Sequence, residues 1–330
     1  MAKSFRSFAC LLLAALALGA LDAPAAPKKK QATPAPADTE EPGNPPLLLR
    51  SRSGTTTTVT RPPAKLDPKN FRRLAEGELP IVAKGAIVID GTTGQSLYEK
   101  SADQPYFPAS TTKIMTALLV IEAGGLDQEV EITLEDSKVG ESSLNVQPGE
   151  RYTRRAMLFG LMLKSANDVA HALGRDNAGT AEAFAEKMTR RARELGAIKT
   201  RFMNANGLHH PQHFTTARDL AIIGRAAMQQ PYFRQVVSTQ RYLWKRPSGE
   251  VWALSNHNRL LGSFPGTTGV KTGYTNPAQQ VLVSACLRET REVIAVVMHD
   301  SKPNNWEDSR LLITYGFDNP PGTRPVAQFP

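Results

Sequence analysis

The chain has 330 residues, 41% of them hydrophobic, 22% charged and 7% aromatic, with 24 glycines, 24 prolines and two cysteines. Such fractions are those of a globular protein and exclude collagen-like, wholly disordered and multi-span membrane classes, while two cysteines cannot build a disulfide scaffold or a four-cysteine zinc site. Of the formal net charge of +9, +1 lies in residues 1–26 and +4 in residues 27–66, so the remainder carries a mild excess that suits polyanions in general and selects none.

Lys3 and Arg6 precede an apolar run over 8–18, which gives way to Gly19-Ala20 and Ala23-Pro24-Ala25-Ala26. A positive flank, a short apolar core and a small-residue end describe a secretory signal peptide over 1–26. A membrane span needs about 20 apolar residues, and Gly19 and Asp22 interrupt this run too early. The pattern therefore predicts export across the inner membrane, to the periplasm or the wall. Cys10 would leave with the signal, so Cys286 would be the one thiol and no intramolecular disulfide would form. Residues 27–66 hold eight of the prolines, the Lys28–Lys30 run and four threonines at 55–58. Such a segment cannot bury enough apolar surface to offset its ordering entropy. It reads as a flexible tether over 27–70, whose basic groups suit weak association with anionic envelope surfaces.

Near residue 85 the pattern changes. Apolar stretches at 86–89 and 95–98 flank Asp90-Gly91-Thr92-Thr93-Gly94, a hairpin signal. From Ser110 the positions Ile114, Leu118, Val120 and Ile121 recur at helical spacing as far as Gly124-Gly125. Further helices are predicted over 156–163, 168–173, 180–195 and 217–228, the last with Thr216 and Asp219 at capping-box spacing. Beyond 235 the character is β. Strands are expected at 241–244 and 250–254 around a Pro247-Ser248-Gly249 turn, and at 280–287 and 292–298, before a closing helix over 306–315. The order is hairpin, helices, strands, helix, which predicts an α+β fold with a mainly antiparallel sheet and an inserted helical region.

Three short motifs carry chemistry. Pro108-Ala109-Ser110-Thr111-Thr112-Lys113 places a hydroxyl and an amine at i and i+3 of a helix start, on one face. Serine needs a base to become a nucleophile, and lysine serves only when burial or a neighbouring cation lowers its pKa. In Lys271-Thr272-Gly273 an ammonium and a hydroxyl suited to a carboxylate precede a glycine that lets a ligand lie against a strand. Ser-x-Asn occurs twice, at Ser143-Leu144-Asn145 and Ser165-Ala166-Asn167. The second is favoured because helical segments on both sides support it. Singly, the first motif also describes a capped helix with a surface lysine, and the last an exposed turn. Their order, Ser110/Lys113, then Ser165/Asn167, then Lys271–Gly273, is what gives them weight.

With these residues in view, the sequence resembles the low-molecular-mass penicillin-binding proteins, the secreted serine D-alanyl-D-alanine carboxypeptidases and endopeptidases with a β-lactamase-like fold. Tyr106-Phe107-Pro108-Ala109-Ser110-Thr111-Thr112-Lys113-Ile114-Met115-Thr116 is similar to their nucleophile segment, and Leu163-Lys164-Ser165-Ala166-Asn167-Asp168 to their second motif. Asn206-Gly207-Leu208, Thr215-Thr216-Ala217-Arg218-Asp219-Leu220 and Gly269-Val270-Lys271-Thr272-Gly273-Tyr274-Thr275 resemble further family segments. The likeness departs at Ala278-Gln279-Gln280, where the family has Ala-Gly. It implies a peptidase domain over 71–320 and a short tail over 321–330, without the C-terminal β-domain or amphipathic anchor that many members carry. It also implies Ser110 as nucleophile, Lys113 as its base and Ser165, linked to Lys113 and Lys271, as proton relay. Backbone N–H groups of Ser110 and Tyr274 would stabilise the oxyanion, and Asn167 would orient the substrate amide. Lys271, Thr272 and Gly273 would hold the terminal carboxylate. The implied partners are peptidoglycan stem peptides ending in D-Ala-D-Ala and β-lactam inhibitors, with no cofactor.

Other readings carry less. His209-His210-x-x-His213 has no interposed glutamate and reads as a loop beside the site rather than a zinc site. Arg218 and Asp219 are expected to begin a helix and pair locally, and Trp244, Trp252 and Trp306 to pack in the core or a hairpin. A β-lactamase would need a deacylating glutamate, for which no candidate stands out. A non-catalytic wall-binding protein is disfavoured by the complete Ser110, Lys113, Ser165 and Lys271 set. Nucleic acid is disfavoured because the basic excess sits largely in the tether, without interleaved aromatics.

Overall fold

The computed structural model describes residues 77–322 and 327–329. The expected signal peptide, the expected tether and the first residues expected of the peptidase domain lie outside the described residues. Strand β1 (Gly85–Asp90) and strand β2 (Ser96–Lys100) form the expected hairpin. A 3-10 turn over Ala109–Thr112 runs into helix α1 (Lys113–Ala123), which ends at Gly124 with φ +71°. The helical region holds β3 (Glu129–Glu131), α2 (Leu134–Ser137), β4 (Arg151–Thr153), α3 (Arg154–Leu163), α4 (Asn167–Ala178) and α5 (Ala181–Glu194). Helices α6 (Ala217–Met228) and α7 (Pro231–Ser238) follow. The hairpin β5 (Arg241–Lys245) and β6 (Val251–Ser255) comes next, then β7 (Thr267–Thr275), β8 (Gln279–Arg288), β9 (Arg291–Asp300), α8 (Asn304–Asp318) and β10 (Ala327–Phe329). The α+β expectation holds.

The main sheet has six strands in the order β10-β2-β1-β9-β8-β7, antiparallel except where β10 pairs with β2. It is buried on both faces, and strand periodicity sends alternate side chains to two different cores. Ile87, Ile89, Val281, Val283, Ile294 and Val296 face the helical region. Val88, Leu282, Val293, Ala295 and Val297 face α8, where they meet Leu312 and Ile313. The unbroken apolar runs of β8 and β9 follow from this double burial. Edge strand β7 carries Lys271–Gly273 alongside the 3-10 turn, and that contact positions the site.

Several expectations are corrected. Helix α7 runs on past residue 235, where the sequence suggests β, because Val236-Val237 imitates a strand. Phe233, Val236 and Val237 are in fact its buried stripe, and Pro231 at its start is the signal that was passed over. Thr216 caps α6 by accepting from the Asp219 N–H at 3.0 Å, but the bond is not reciprocated, since Asp219 accepts from the Lys199 N–H and the Thr200 hydroxyl. A reciprocal capping box stands instead at Thr133 and Asp136, ahead of α2. Arg218 does not pair with Asp219; it spans Glu99 and Asp103. Within the expected short tail, residues 327–329 add a parallel edge strand. At the departure from the family pattern, Gln279 adopts φ +56° directly after buried Ala278. A residue with a Cβ pays about 1–2 kcal/mol in that conformation, which explains a glycine as the usual occupant.

Trp244 is buried against Tyr152 at 4.6 Å, Arg246 lies over Trp252, and Trp306 packs on the smaller core, as expected of packing residues. Cys286 is a buried free thiol. Among the described residues no helix is long and apolar enough to cross a membrane.

Candidate active site

Ser110 stands in the 3-10 turn that opens α1. Thr111 Oγ1 donates to the Pro108 carbonyl at 2.6 Å, and Thr112 Oγ1 is 2.9 Å from His213 Nε2. The histidine loop thus braces the turn from behind, and burial lowers the His213 pKa to about 3, keeping the imidazole neutral. No group of three His, Cys, Asp or Glu converges as a metal site among the described residues. Ala109 sits at φ +49°, a conformation that a residue with a Cβ holds only when its surroundings impose it. Gly207 provides that surrounding, because a Cβ added there would lie 1.9 Å from the Ala109 carbonyl oxygen.

Lys113 is completely buried although it ends in an amine. Its Nζ lies 3.1 Å from Ser110 Oγ, 2.7 Å from Asn167 Oδ1 and 2.6 Å from the Asn206 carbonyl oxygen. Burial, and then the charge of Lys271, hold its pKa well below the ordinary lysine value, with Asp168 and Glu141 opposing them. A neutral amine has two hydrogens and one lone pair. As an ammonium the amine donates to all three oxygens; Asn167 Oδ1 and the Asn206 carbonyl can only accept, so once neutral it keeps both hydrogens on them and leaves its lone pair for the Ser110 hydroxyl. The i and i+3 spacing at the helix start brings the pair together, and two other chain segments aim it.

Lys271, on β7, is also buried, and its Nζ donates to the Thr272 carbonyl at 2.9 Å. Burial lowers its pKa to about 7. Thr272 is half-buried beside it. At Gly273 an added Cβ would lie 2.9 Å from Ser110 N and 3.0 Å from Thr111 N, so only glycine lets the edge strand reach the turn. Tyr274, largely exposed, follows on the same edge. His257, ahead of β7, has a pKa lowered to about 4, first by burial and then by Lys271 and Lys164.

Ser165 and Asn167 do not sit as anticipated. Ser165 lies at φ +63°, buried, with no hydrogen-bond partner for its hydroxyl among the described residues. The expected link to Lys113 and Lys271 is not made, because both amines bond to other oxygens. Asn167 spends both ends of its amide inside the protein, on Lys113 and, through Nδ2 at 3.0 Å, on the Gly140 carbonyl. Its amide is so placed as to orient the lysine. The rejected alternative lies close by: Ser143 donates to Asp168, while Asn145 is exposed. Sequence reasoning gave no role to the Asn206 and Gly140 carbonyls, although Asn206-Gly207-Leu208 stood out as a family-like segment and as a turn signal.

The family model described as D-alanyl-D-alanine carboxypeptidase, peptidase S11, matches residues 73–302. The D-alanyl-D-alanine carboxypeptidase DacF of Bacillus subtilis is 35% identical over 246 residues, covering 73% of this chain and 62% of that protein. The D-alanyl-D-alanine carboxypeptidase DacB2 of Mycobacterium tuberculosis is 33% identical over 250 residues, with 73% and 85% covered. The chain therefore spans under two thirds of the Bacillus protein and most of the mycobacterial one. The crystal structure of the Streptomyces K15 DD-transpeptidase superposes with a TM-score of 0.70 at 34% identity, over 73% of this chain and 99% of that one.

Proposed function

The chain belongs to the peptidase S11 family of D-alanyl-D-alanine carboxypeptidases, and from that membership we propose that it is a serine DD-carboxypeptidase acting on peptidoglycan stem peptides through an acyl-enzyme at Ser110. The observation that carries this reading is the buried Lys113 amine 3.1 Å from the Ser110 hydroxyl, its two other contacts being oxygens that can only accept.

Lys113 takes the Ser110 proton as the oxygen attacks the carbonyl between two D-alanines. The main-chain N–H groups of Ser110 and Tyr274 receive the negative oxygen, a contribution of about 3–4 kcal/mol per donor in comparable sites. As the C–N bond breaks, the proton held by Lys113 goes to the departing D-alanine amine, and the unpartnered Ser165 hydroxyl is the group free to relay it. Lys271 as an ammonium, with the Thr272 hydroxyl, holds the terminal carboxylate, and Gly273 keeps the strand open to the peptide. A water molecule then gives a proton to Lys113 as it attacks the ester; the bond to Ser110 Oγ breaks, Lys113 returns the proton to that oxygen, and the shortened peptide leaves. A β-lactam places its amide where the scissile bond lies, and its carboxylate on Lys271, so it acylates the same oxygen. Residues 1–26 direct export to the periplasm or wall.

The carboxylate role of Lys271 and Thr272 separates a carboxypeptidase from a cross-link-cutting endopeptidase. A pentapeptide ending in D-Ala-D-Ala is expected to release one free D-alanine, and its C-terminal amide to react at least ~100-fold more slowly, as expected when a buried site group loses its partner. Cleavage of a cross-linked dimer with the pentapeptide untouched would replace this reading by the endopeptidase one.

A further inference from the structure

Asp168 follows Asn167 in the first turn of α4 and is completely buried. Its acceptor capacity goes largely to another segment. Ser143 Oγ donates to it at 2.5 Å, the Leu144 N–H at 3.1 Å and the Val146 N–H at 3.2 Å, besides the neighbouring Val169 N–H at 2.8 Å. The segment so anchored, residues 140–146 between α2 and β4, holds two non-glycine residues in the left-handed region, Glu141 at φ +66° and Asn145 at φ +51°. L residues with a Cβ rarely adopt that conformation without outside support.

The same segment turns its carbonyls on the residue beside Asp168. Gly140 O accepts from Asn167 Nδ2 at 3.0 Å, and Ser142 O accepts from the Asn167 main-chain N–H at 2.7 Å. Asn167 is thereby fixed at both its main chain and its amide, and its Oδ1 receives the Lys113 amine. We propose that Asp168 is a positioning residue for acylation: its carboxylate shapes the 140–146 segment, that segment orients Asn167, and Asn167 aims the Lys113 amine at Ser110. The proposal rests on the Ser110 and Lys113 roles given above.

A second effect accompanies the geometric one. The charged groups facing the Lys113 amine are Lys271 on β7, Asp168 on α4 and Glu141 on the anchored segment, while the titratable His213 nearby stays neutral. Asp168 and Glu141 favour the ammonium and Lys271 opposes it. Removing the Asp168 charge therefore lets the amine lose its proton at lower pH, while the loosened segment costs it its aim. A residue that merely stabilised the fold would change neither property per folded molecule.

The test is the second-order rate of acylation by a fluorescent penicillin across pH, on the full chain, for wild type, Asp168→Asn and Ser143→Ala. Rates are corrected for folded fraction by thermal melting. Asp168→Asn is expected to lower the plateau at least tenfold and to move the acid limb down by at least about half a pH unit. Ser143→Ala, which removes one anchor and keeps the charge, is expected to lower the plateau about threefold and leave the limb in place. An Asp168→Asn plateau equal to wild type, or an unmoved limb, overturns the proposal. Should Asp168→Asn fail to fold, Ser143→Ala decides, and a wild-type rate for it overturns the proposal as well. Wild type that no penicillin acylates would refute the Ser110 and Lys113 roles themselves and take this inference with them.

Discussion

Replacing Lys113 by alanine is expected to slow acylation by penicillin about 10³–10⁴-fold and to abolish its rise with pH. A positioned general base contributes roughly 10²–10⁴ by itself. The substitution also strands two buried acceptors, Asn167 Oδ1 and the Asn206 carbonyl, that the amine satisfies. In wild type the rate climbs as Lys113 loses its proton, at a pH well below the ordinary lysine range because of burial and the nearby Lys271 charge. Lys113→Arg should not rescue the activity, since a guanidinium stays charged and has no lone pair to offer. Lys271 sets the opposite limb. It must be an ammonium to hold a carboxylate, and burial lowers its pKa to about 7. kcat/KM should therefore fall as pH rises past that value. In the complex the bound carboxylate favours the proton, so kcat should fall only at higher pH. Stopped-flow acylation and steady-state hydrolysis across pH measure these limbs, and a Lys113→Ala protein that kept the acid limb would contradict the assignment.

Gly207→Ala is expected to destabilise the domain by about 2–5 kcal/mol and to lower acylation at the same time. The residue lies at φ +88°, where a Cβ alone costs about 1–2 kcal/mol. The added carbon would also stand 1.9 Å from the Ala109 carbonyl oxygen, 2.4 Å from its carbonyl carbon and 2.9 Å from Ser110 N. All three are main-chain atoms, so no rotamer change relieves the overlap, and accommodating an added group in a packed region costs about 1–3 kcal/mol more. Any relief must move the peptide on which Ser110 is mounted, which couples the stability loss to the chemistry. For a domain of this size the melting temperature should fall by roughly 5–15 °C. Gly149→Ala is the control. It shares a positive φ of +85° but faces open space, so only the conformational cost of about 1–2 kcal/mol applies, with acylation unchanged. Equal effects of the two substitutions would show that the close approach beneath Ala109 does not matter.

What the sequence revealed, and what it concealed, divides along physical lines. Helices α5 and α6 were legible because threonine caps and apolar spacing agree, and β8 and β9 because burial on both faces leaves an unbroken apolar run. Helix α7 was not, since eight residues ending in Val236-Val237-Ser238 carry a β-branched signal that its buried stripe overrides. In the site, Ser110, Lys113 and Lys271 announce themselves by side-chain chemistry, and their spacing or strand context places them. The groups that aim Lys113 include two main-chain carbonyls, at Asn206 and through Gly140, and a carbonyl oxygen leaves no mark in a residue's identity. Asn167 misled for a related reason. Its amide can face either a substrate or the protein, and only the fold of residues 140–146 commits it inward. Arg218 and Asp219, adjacent in sequence, bond to β2 and its following turn and to residues 199–200 respectively, which adjacency alone does not disclose.

Ser110 as the acylated oxygen is tested most directly by intact mass after exposure to benzylpenicillin, followed by peptide mapping. Opening of the lactam ring loses no atoms, so one adduct of the full penicillin mass should appear, confined to the peptide containing Ser110 and missing from Ser110→Ala. An unmodified protein, or the same adduct retained in Ser110→Ala, would contradict it.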